Sequence, residues 1–186
     1  MSIAGPAGPA NVRLPAADPR VAGAWEVLDT VLDPEVPALS IRDLGIVRDV
    51  VLLAPGMALE IVLTPTYSGC PATEVIEQNV LDAIDAAGLG PVRVRLQRAP
   101  AWTSDWISAA GRRKLLEYGI APPGPVGDDS AAPIRFLGRR QNTASLTCPR
   151  CASDDTERLS AFGSTACKAL YRCRACREPF EHFKPI

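Results

Sequence analysis

Two CxxC knuckles, Cys148-Pro-Arg-Cys151 and Cys173-Arg-Ala-Cys176, stand 21 residues apart near the end of a 186-residue chain. A knuckle turns two thiolates toward one point. An intervening hairpin then brings two such pairs together at about 2.3 Å from a tetrahedral ion. Four soft anionic ligands with no open position make a structural site rather than a hydrolytic one. Two local disulfides or a thioredoxin-type redox pair are the alternatives, and the spacing together with a reducing compartment favours a metal. Zinc is the expected ion, although the same ligand set also suits iron.

Two further cysteines lie outside the knuckles. Cys167 reads as a small buried hydrophobe of the ribbon hairpin, the usual fate of a spare thiol. Cys70 stands alone in the first three-quarters of the chain, where a loop meets a predicted helix N-terminus. Backbone N–H groups and the helix dipole favour a thiolate there, fit to be a metal ligand or a nucleophile. Taken by itself, a cysteine beside an apolar helix is more often packed core. Asp33 and Glu35, in Asp33-Pro-Glu-Val-Pro37, read equally well as ligands or as solvated charges of a helix-terminating loop. The sole histidine, His182, reads as a surface group. One histidine rules out a histidine triad, and it rules out the paired Glu-x-x-His motifs of a di-iron bundle on this chain. No GxGxxG dinucleotide fingerprint is present either.

The elements that must carry these residues follow from periodicity. Val21, Trp25, Leu28 and Leu32 recur at helical spacing up to Asp33-Pro34, where proline disfavours helix in the preceding residue. Gly45 to Leu53 and Ala58 to Leu63 read as a hairpin about a Pro-Gly turn. Pro71 opens a helix with Ile76, Val80, Ile84 and Ala87 on one face, and Pro91 to Gln97 alternates as a third strand. A helix is expected over Thr103 to Tyr118, capped by Ser104 and stopped by Gly119. Trp102 and Trp106 on this stretch read as core or as a partner-docking stripe.

The order α-β-β-α-β, followed by the cysteine knuckles, predicts an α/β (α+β) chain: a small mixed domain and then a four-cysteine zinc-ribbon β domain. The expected divisions are a flexible Ala/Gly/Pro leader at 1–19, a first domain at 20–120, a Pro/Gly-rich linker at 121–134 and the ribbon at 135–186. The start lacks a secretory pattern and no apolar stretch approaches membrane-spanning length, so a cytoplasmic protein with no membrane partner is expected. Residues 1–134 carry 10 Lys/Arg against 16 Asp/Glu, and residues 135–186 carry 10 against 5. Four thiolates and one zinc would bring the tail from +5 to about +3, too modest for a strong nucleic-acid footprint.

Leu63-Thr-Pro-Thr-Tyr-Ser-Gly-Cys-Pro71, with Asp33-Pro-Glu-Val-Pro37 and Ser40-Ile-Arg-Asp-Leu-Gly-Ile-Val47, resembles the metal–sulfur cluster assembly family, whose members help mature iron–sulfur proteins. Trp102-Thr-Ser-Asp-Trp-Ile107, Gly111-Arg-Arg-Lys-Leu115, Tyr118-Gly-Ile-Ala-Pro-Pro123 and the tail from Phe162 to Lys184 extend the resemblance to the PaaD (PaaJ) family of the phenylacetyl-CoA epoxidase system. One departure is the Phe183-Lys-Pro-Ile186 ending, where family members commonly carry a further cysteine.

The resemblance implies an accessory or maturation factor for a ring-epoxidising di-iron oxygenase of aerobic phenylacetate degradation, without catalysis of its own. It places Asp33, Glu35, Thr66, Tyr67 and Cys70 in one cleft, with Cys70 as a transient ligand for iron or an iron–sulfur cluster. Its implied partners are the other epoxidase subunits or their iron–sulfur reductase, and self-association into a homodimer stays open. Two rivals remain: a thiol enzyme using Cys70, and a ribbon module binding nucleic acid or protein through Arg172, Arg174 and Arg177.

Overall fold

The computed structural model describes residues 12–13, 18–54, 58–67, 69–126 and 146–186. Helix α1, Pro19–Leu28, starts where Asp18 accepts the Arg20 N–H at 2.8 Å and Pro19 occupies the first position. It ends four residues short of the expected Leu32. The Asp33 N–H donates to Leu39 O and the Ile41 N–H to Val31 O, both at 2.9 Å, so the chain leaves the helix to pair with residues ahead of it. Leu32 consequently faces solvent at 48 % exposure.

Strands β2, Val47–Ala54, and β3, Ala58–Leu63, form the expected antiparallel hairpin. Helix α2, Ala72–Ala86, buries Ile76, Val80 and Ile84 and returns the chain to β4, Val92–Leu96, parallel to β3. A two-residue strand β1, Val12–Arg13, pairs with the far edge of β2, inside the stretch expected as leader. The rest of residues 1–17 lies outside the described residues. Sheet order is β1-β2-β3-β4, with α1 packed on α2 and β2.

The single helix expected over Thr103–Tyr118 is two pieces: a 3-10 turn, Ser104–Trp106, and helix α3, Ala109–Tyr118. Ile107 between them is extended and buried, and Ser108 starts α3 anew by accepting the Gly111 N–H at 2.8 Å. The break is imposed from outside. The Ser108 N–H donates to Asp43 O at 2.8 Å, and a Cβ on Gly45 would sit 2.6 Å from Trp106 O. These contacts seat the turn on the 40–46 loop and force the chain out of helical register.

After α3 the chain enters the ribbon sheet directly. Strand β5, Ile120–Ala121, pairs parallel with β8, Pro179–Phe183. Strand β7, Lys168–Cys173, and strand β6, Thr156–Ser160, complete the order β5-β8-β7-β6. Of the expected linker, residues 121–126 are strapped back, the Arg112 guanidinium donating to Pro123 O at 2.6 Å and the Val126 N–H to Asp105. Residues 127–134 lie outside the described residues.

Ribbon and first domain share one core. Cys167 and Phe183 belong to the same buried cluster as Leu28, Leu44, Ile61 and Ile76. Trp102, buried rather than displayed, donates from Nε1 to Leu44 O at 2.9 Å, with its ring 6.0 Å from that of Phe183. Trp106 is covered by the Arg48 guanidinium, 3.5 Å from its ring centre. Ile186 O accepts from Ser104 N–H and Thr103 Oγ1, tying the chain's end to the same turn. Phe183 is thus the fastener. Phe183→Ala is expected to cost about 3–5 kcal/mol, lowering the thermal midpoint by on the order of 10 °C in a melt of the full chain.

Candidate functional site

Hairpin β7–β8 and the turn after Leu146 bring the two knuckles face to face. Cys148 Sγ lies 3.8 Å from Cys176 Sγ and Cys151 Sγ 3.5 Å from Cys173 Sγ, and all four sulfurs fall within 4.8 Å of one another. A tetrahedron with metal–sulfur bonds of about 2.3 Å has edges near 3.8 Å, so both cross-knuckle pairs stand close to the spacing a zinc ion would set. The Cys173 thiol is pushed down to about 7, first by the N–H of Cys176 and then by its neighbouring thiols. Cys151 goes the other way: the Ser153 N–H pulls it down, but hydrogen bonds to the other thiols push it up to about 12. Such competition among adjacent sulfurs for negative charge is what a divalent cation relieves. Zinc here would supply a cross-link and no open coordination position.

The second site lies where the ribbon meets the first domain. Asp33 is buried, and its Oδ1 accepts the N–H groups of Glu35 at 2.9 Å and Val36 at 2.8 Å. This side-chain turn is why an Asp-Pro-Glu-Val segment holds its fold without helix or strand. Gly69, at φ +91°, turns the chain so that Cys70 sits just before Pro71 and α2. The Cys70 N–H donates to Tyr67 O at 3.3 Å, and its carbonyl accepts the Thr73 N–H at 3.1 Å.

Asp33, Glu35, Thr66 and Cys70 line one cavity of about 20 Å³, closed by Val36, Leu44, Ile46, Ile76, Cys167 and Phe183. Tyr67 stands on the adjoining cavity with Arg98, Trp102 and Ile186, near enough to the Cys70 thiol to feel its charge. Its hydroxyl is pushed up to about 12, by burial first and then by the charge of Cys70. Burial also raises the Asp33 and Glu35 carboxyls above the ordinary carboxylate range, and Asp33's charge raises Glu35 further. The cavity therefore gathers groups that become anionic with too little counter-charge around them. The cation beside it, Lys168, is buried and held by Glu181 at 3.0 Å.

Three of the residues there come from the ribbon; Cys167 is buried as expected, and it is their place beside Glu35 that escapes a reading of the sequence. Cys167 lies 3.0 Å from Thr165 Oγ1, its thiol raised by burial, while Thr165 and Lys168 both act to lower the Glu35 carboxyl and Lys168 carries charge toward Asp33 as well. The available signal was arithmetic: a four-ligand site in a tail with five cysteines leaves one thiol to place. His182, expected at the surface, is instead buried with Nε2 unpartnered and its ring edge-on to Tyr171. Burial pulls its pKa down to about 4, so it is neutral at physiological pH. Of the basic tail residues, Arg172 and Arg174 both grip Glu157, and Arg174 also reaches Asp155 at 3.6 Å. That pairing cancels much of the field a polyanion would need.

Comparison with known proteins finds two families along the chain. Residues 22–96 match the family described as "Iron-sulfur cluster assembly protein", and residues 133–184 match the "PaaD zinc beta ribbon domain". An Escherichia coli (strain K12) protein, named as a putative subunit of 1,2-phenylacetyl-CoA epoxidase, is 47 % identical over 170 residues, 91 % of this chain and 96 % of that protein. Among solved structures, a domain of unknown function from Bacillus anthracis is 24 % identical over 52 % of this chain and 92 % of its own, with a TM-score of 0.48. A Mycobacterium tuberculosis protein, described as associated with Fe-S complex assembly and repair, is 29 % identical over 62 % of this chain and 98 % of its own, with a TM-score of 0.34. No helix among the described residues is long and apolar enough to cross a membrane.

Proposed function

Since the chain belongs to the PaaD family of phenylacetyl-CoA epoxidase components, we propose that it is the system's maturation factor: it takes up iron or an iron–sulfur unit at Cys70 and passes it to another epoxidase subunit or to the iron–sulfur reductase. The observation that carries this reading is the Cys70 cavity, whose Cys70, Asp33 and Glu35 belong to the segment matching the iron–sulfur cluster assembly family and join a thiol to two carboxyls. Thiolate and carboxylate together suit a transition-metal ion in transit, because neither donor alone completes a closed shell.

Size separates this from catalysis by Cys70. A cavity of about 20 Å³ holds roughly one water-sized occupant, whereas pockets for organic ligands run to about 300–1,000 Å³. The cavity itself therefore suits an ion better than the body of an organic substrate. The ribbon's zinc is the structural half of the same device, since it fixes the strands that carry Cys167, Lys168 and Phe183 to the cavity.

The role is tested in cells making the oxygenase and reductase subunits without their own PaaD protein. Supplying this chain is expected to raise the metal content and activity of the purified epoxidase components together. Components that emerge fully metallated and active without it would sink the proposal.

A further inference from the structure

The Cys70 cavity is built from both domains, and that sharpens what it holds. From the first domain come Cys70, Asp33 and Glu35; from the ribbon comes Cys167, on the last residue before β7. Cys167 is buried and positioned. Its sulfur contacts Thr165 Oγ1 at 3.0 Å, its carbonyl accepts the Lys184 N–H at 2.9 Å, and it lines the same cavity as Glu35 and Asp33 across the junction. The main-chain bond would suit any residue, but a merely space-filling cysteine would need no hydroxyl partner, and an apolar core position would not abut two carboxyls.

We propose that Cys167 is the second thiol ligand of this cavity, and that the pair Cys70 and Cys167, assisted by Glu35 or Asp33, binds a single divalent transition-metal ion rather than a preassembled cluster. This rests on the delivery role proposed above and narrows its cargo. Two sulfurs and a carboxylate oxygen form a donor set for a borderline ion such as Fe²⁺, Co²⁺ or Zn²⁺. Room for about one water-sized occupant admits one ion, while a cluster brings several iron and sulfide atoms. The nearby Lys168 does not spoil the charge balance, because Glu181 neutralises it at 3.0 Å.

Among the described residues only the four knuckle cysteines hold three or more ligand atoms within 4.8 Å of one another. The junction donors line one cavity without standing at ligating distance, so they would have to close on the ion as it enters. Binding is ligand substitution without electron transfer: the ion sheds water, the two thiols each release a proton to solvent, and two metal–sulfur bonds form. Transfer reverses those steps onto the acceptor's ligands.

The test uses the full chain with zinc in the ribbon, verified at one zinc per protein, titrated anaerobically with Co²⁺ as the spectroscopic stand-in for Fe²⁺. One further Co²⁺ per chain is expected, with sulfur-to-cobalt charge-transfer absorption in the near ultraviolet. Cys167→Ala and Cys70→Ala should each halve that band and weaken binding on the order of 10- to 100-fold, and the double variant should abolish it while its zinc stays. Cys167→Ser, a smaller perturbation, guards against a folding artefact in the alanine variant. A band unchanged in both Cys167 variants, or no Co²⁺ uptake by the zinc-loaded wild type, overturns the two-thiol site. If Cys70→Ala abolishes epoxidase maturation in cells while Cys167→Ala leaves it intact, the two-thiol site falls and the delivery role stands. If neither variant matters there, both fall.

Discussion

Cys173→Ser is expected to empty the ribbon of zinc and to strip the lid from the Cys70 cavity. A four-cysteine zinc contributes on the order of 10 kcal/mol or more to the domain that holds it, comparable to the whole stability of a typical domain at about 5–15 kcal/mol. The ribbon has little to set against that loss. The buried cluster it keeps to itself is Ala121, Cys148, Cys173 and Phe180, two of which are ligands. Once β7 and β8 are released, Phe183 leaves the shared core, Trp102 loses its ring partner, and Cys167 and Lys168 leave the junction. The first domain keeps its sheet and the packing of Leu28, Ile61, Val80 and Ile84. Elemental analysis should fall from one zinc per chain to nearly none, and limited proteolysis should cut beyond residue 146 while sparing α1 through β4. A Cys173→Ser protein with full zinc and native protease resistance would show that the ribbon stands by packing alone.

Cys70→Ala has the opposite signature, a large functional loss with little structural cost. Cys70 is half-buried at the mouth of α2, and its backbone bonds to Tyr67 and Thr73 do not involve the sulfur. The alanine keeps those bonds and gives up only the thiol's share of packing against the core, so zinc content should be unchanged and the thermal midpoint should fall by no more than a few degrees. Cargo binding loses a thiolate that no neighbour replaces, since Tyr67 holds its proton to about 12 and the two carboxyls are harder, weaker ligands for a soft ion. Maturation of the epoxidase should drop on the order of 100-fold, the upper range for disrupting a metal site's supporting groups. Activity of the epoxidase purified from cells carrying the variant is the check.

Much of this was legible from residue types and spacing. The Val/Ile/Leu runs of β2 and β3, the stop and restart around Pro71, and the alternation of Val92, Arg93, Val94 and Arg95 are local signals, and the strands and α2 follow them. The knuckles announced their cluster because a CxxC turn is itself local. What was not legible depends on residues far apart in sequence. Helix α1 ends early because Asp33 finds Leu39, and the 103–118 helix breaks because Ser108 finds Asp43. His182 is buried because β8 lies between β5 and β7, a pairing invisible to periodicity. Cys167 reads as plain packing in the sequence because its neighbours in the fold, Glu35 and Cys70, are about a hundred residues upstream.

Metal delivery to the epoxidase system through Cys70, in a cavity completed by the ribbon, has one most direct measurement. It is the iron content of the epoxidase components purified from cells supplied with either the wild-type chain or the Cys70→Ala variant, at matched levels of zinc-loaded protein. Full iron with the wild type and a deep deficit with Cys70→Ala is the expected result. Equal iron in the two preparations would contradict it.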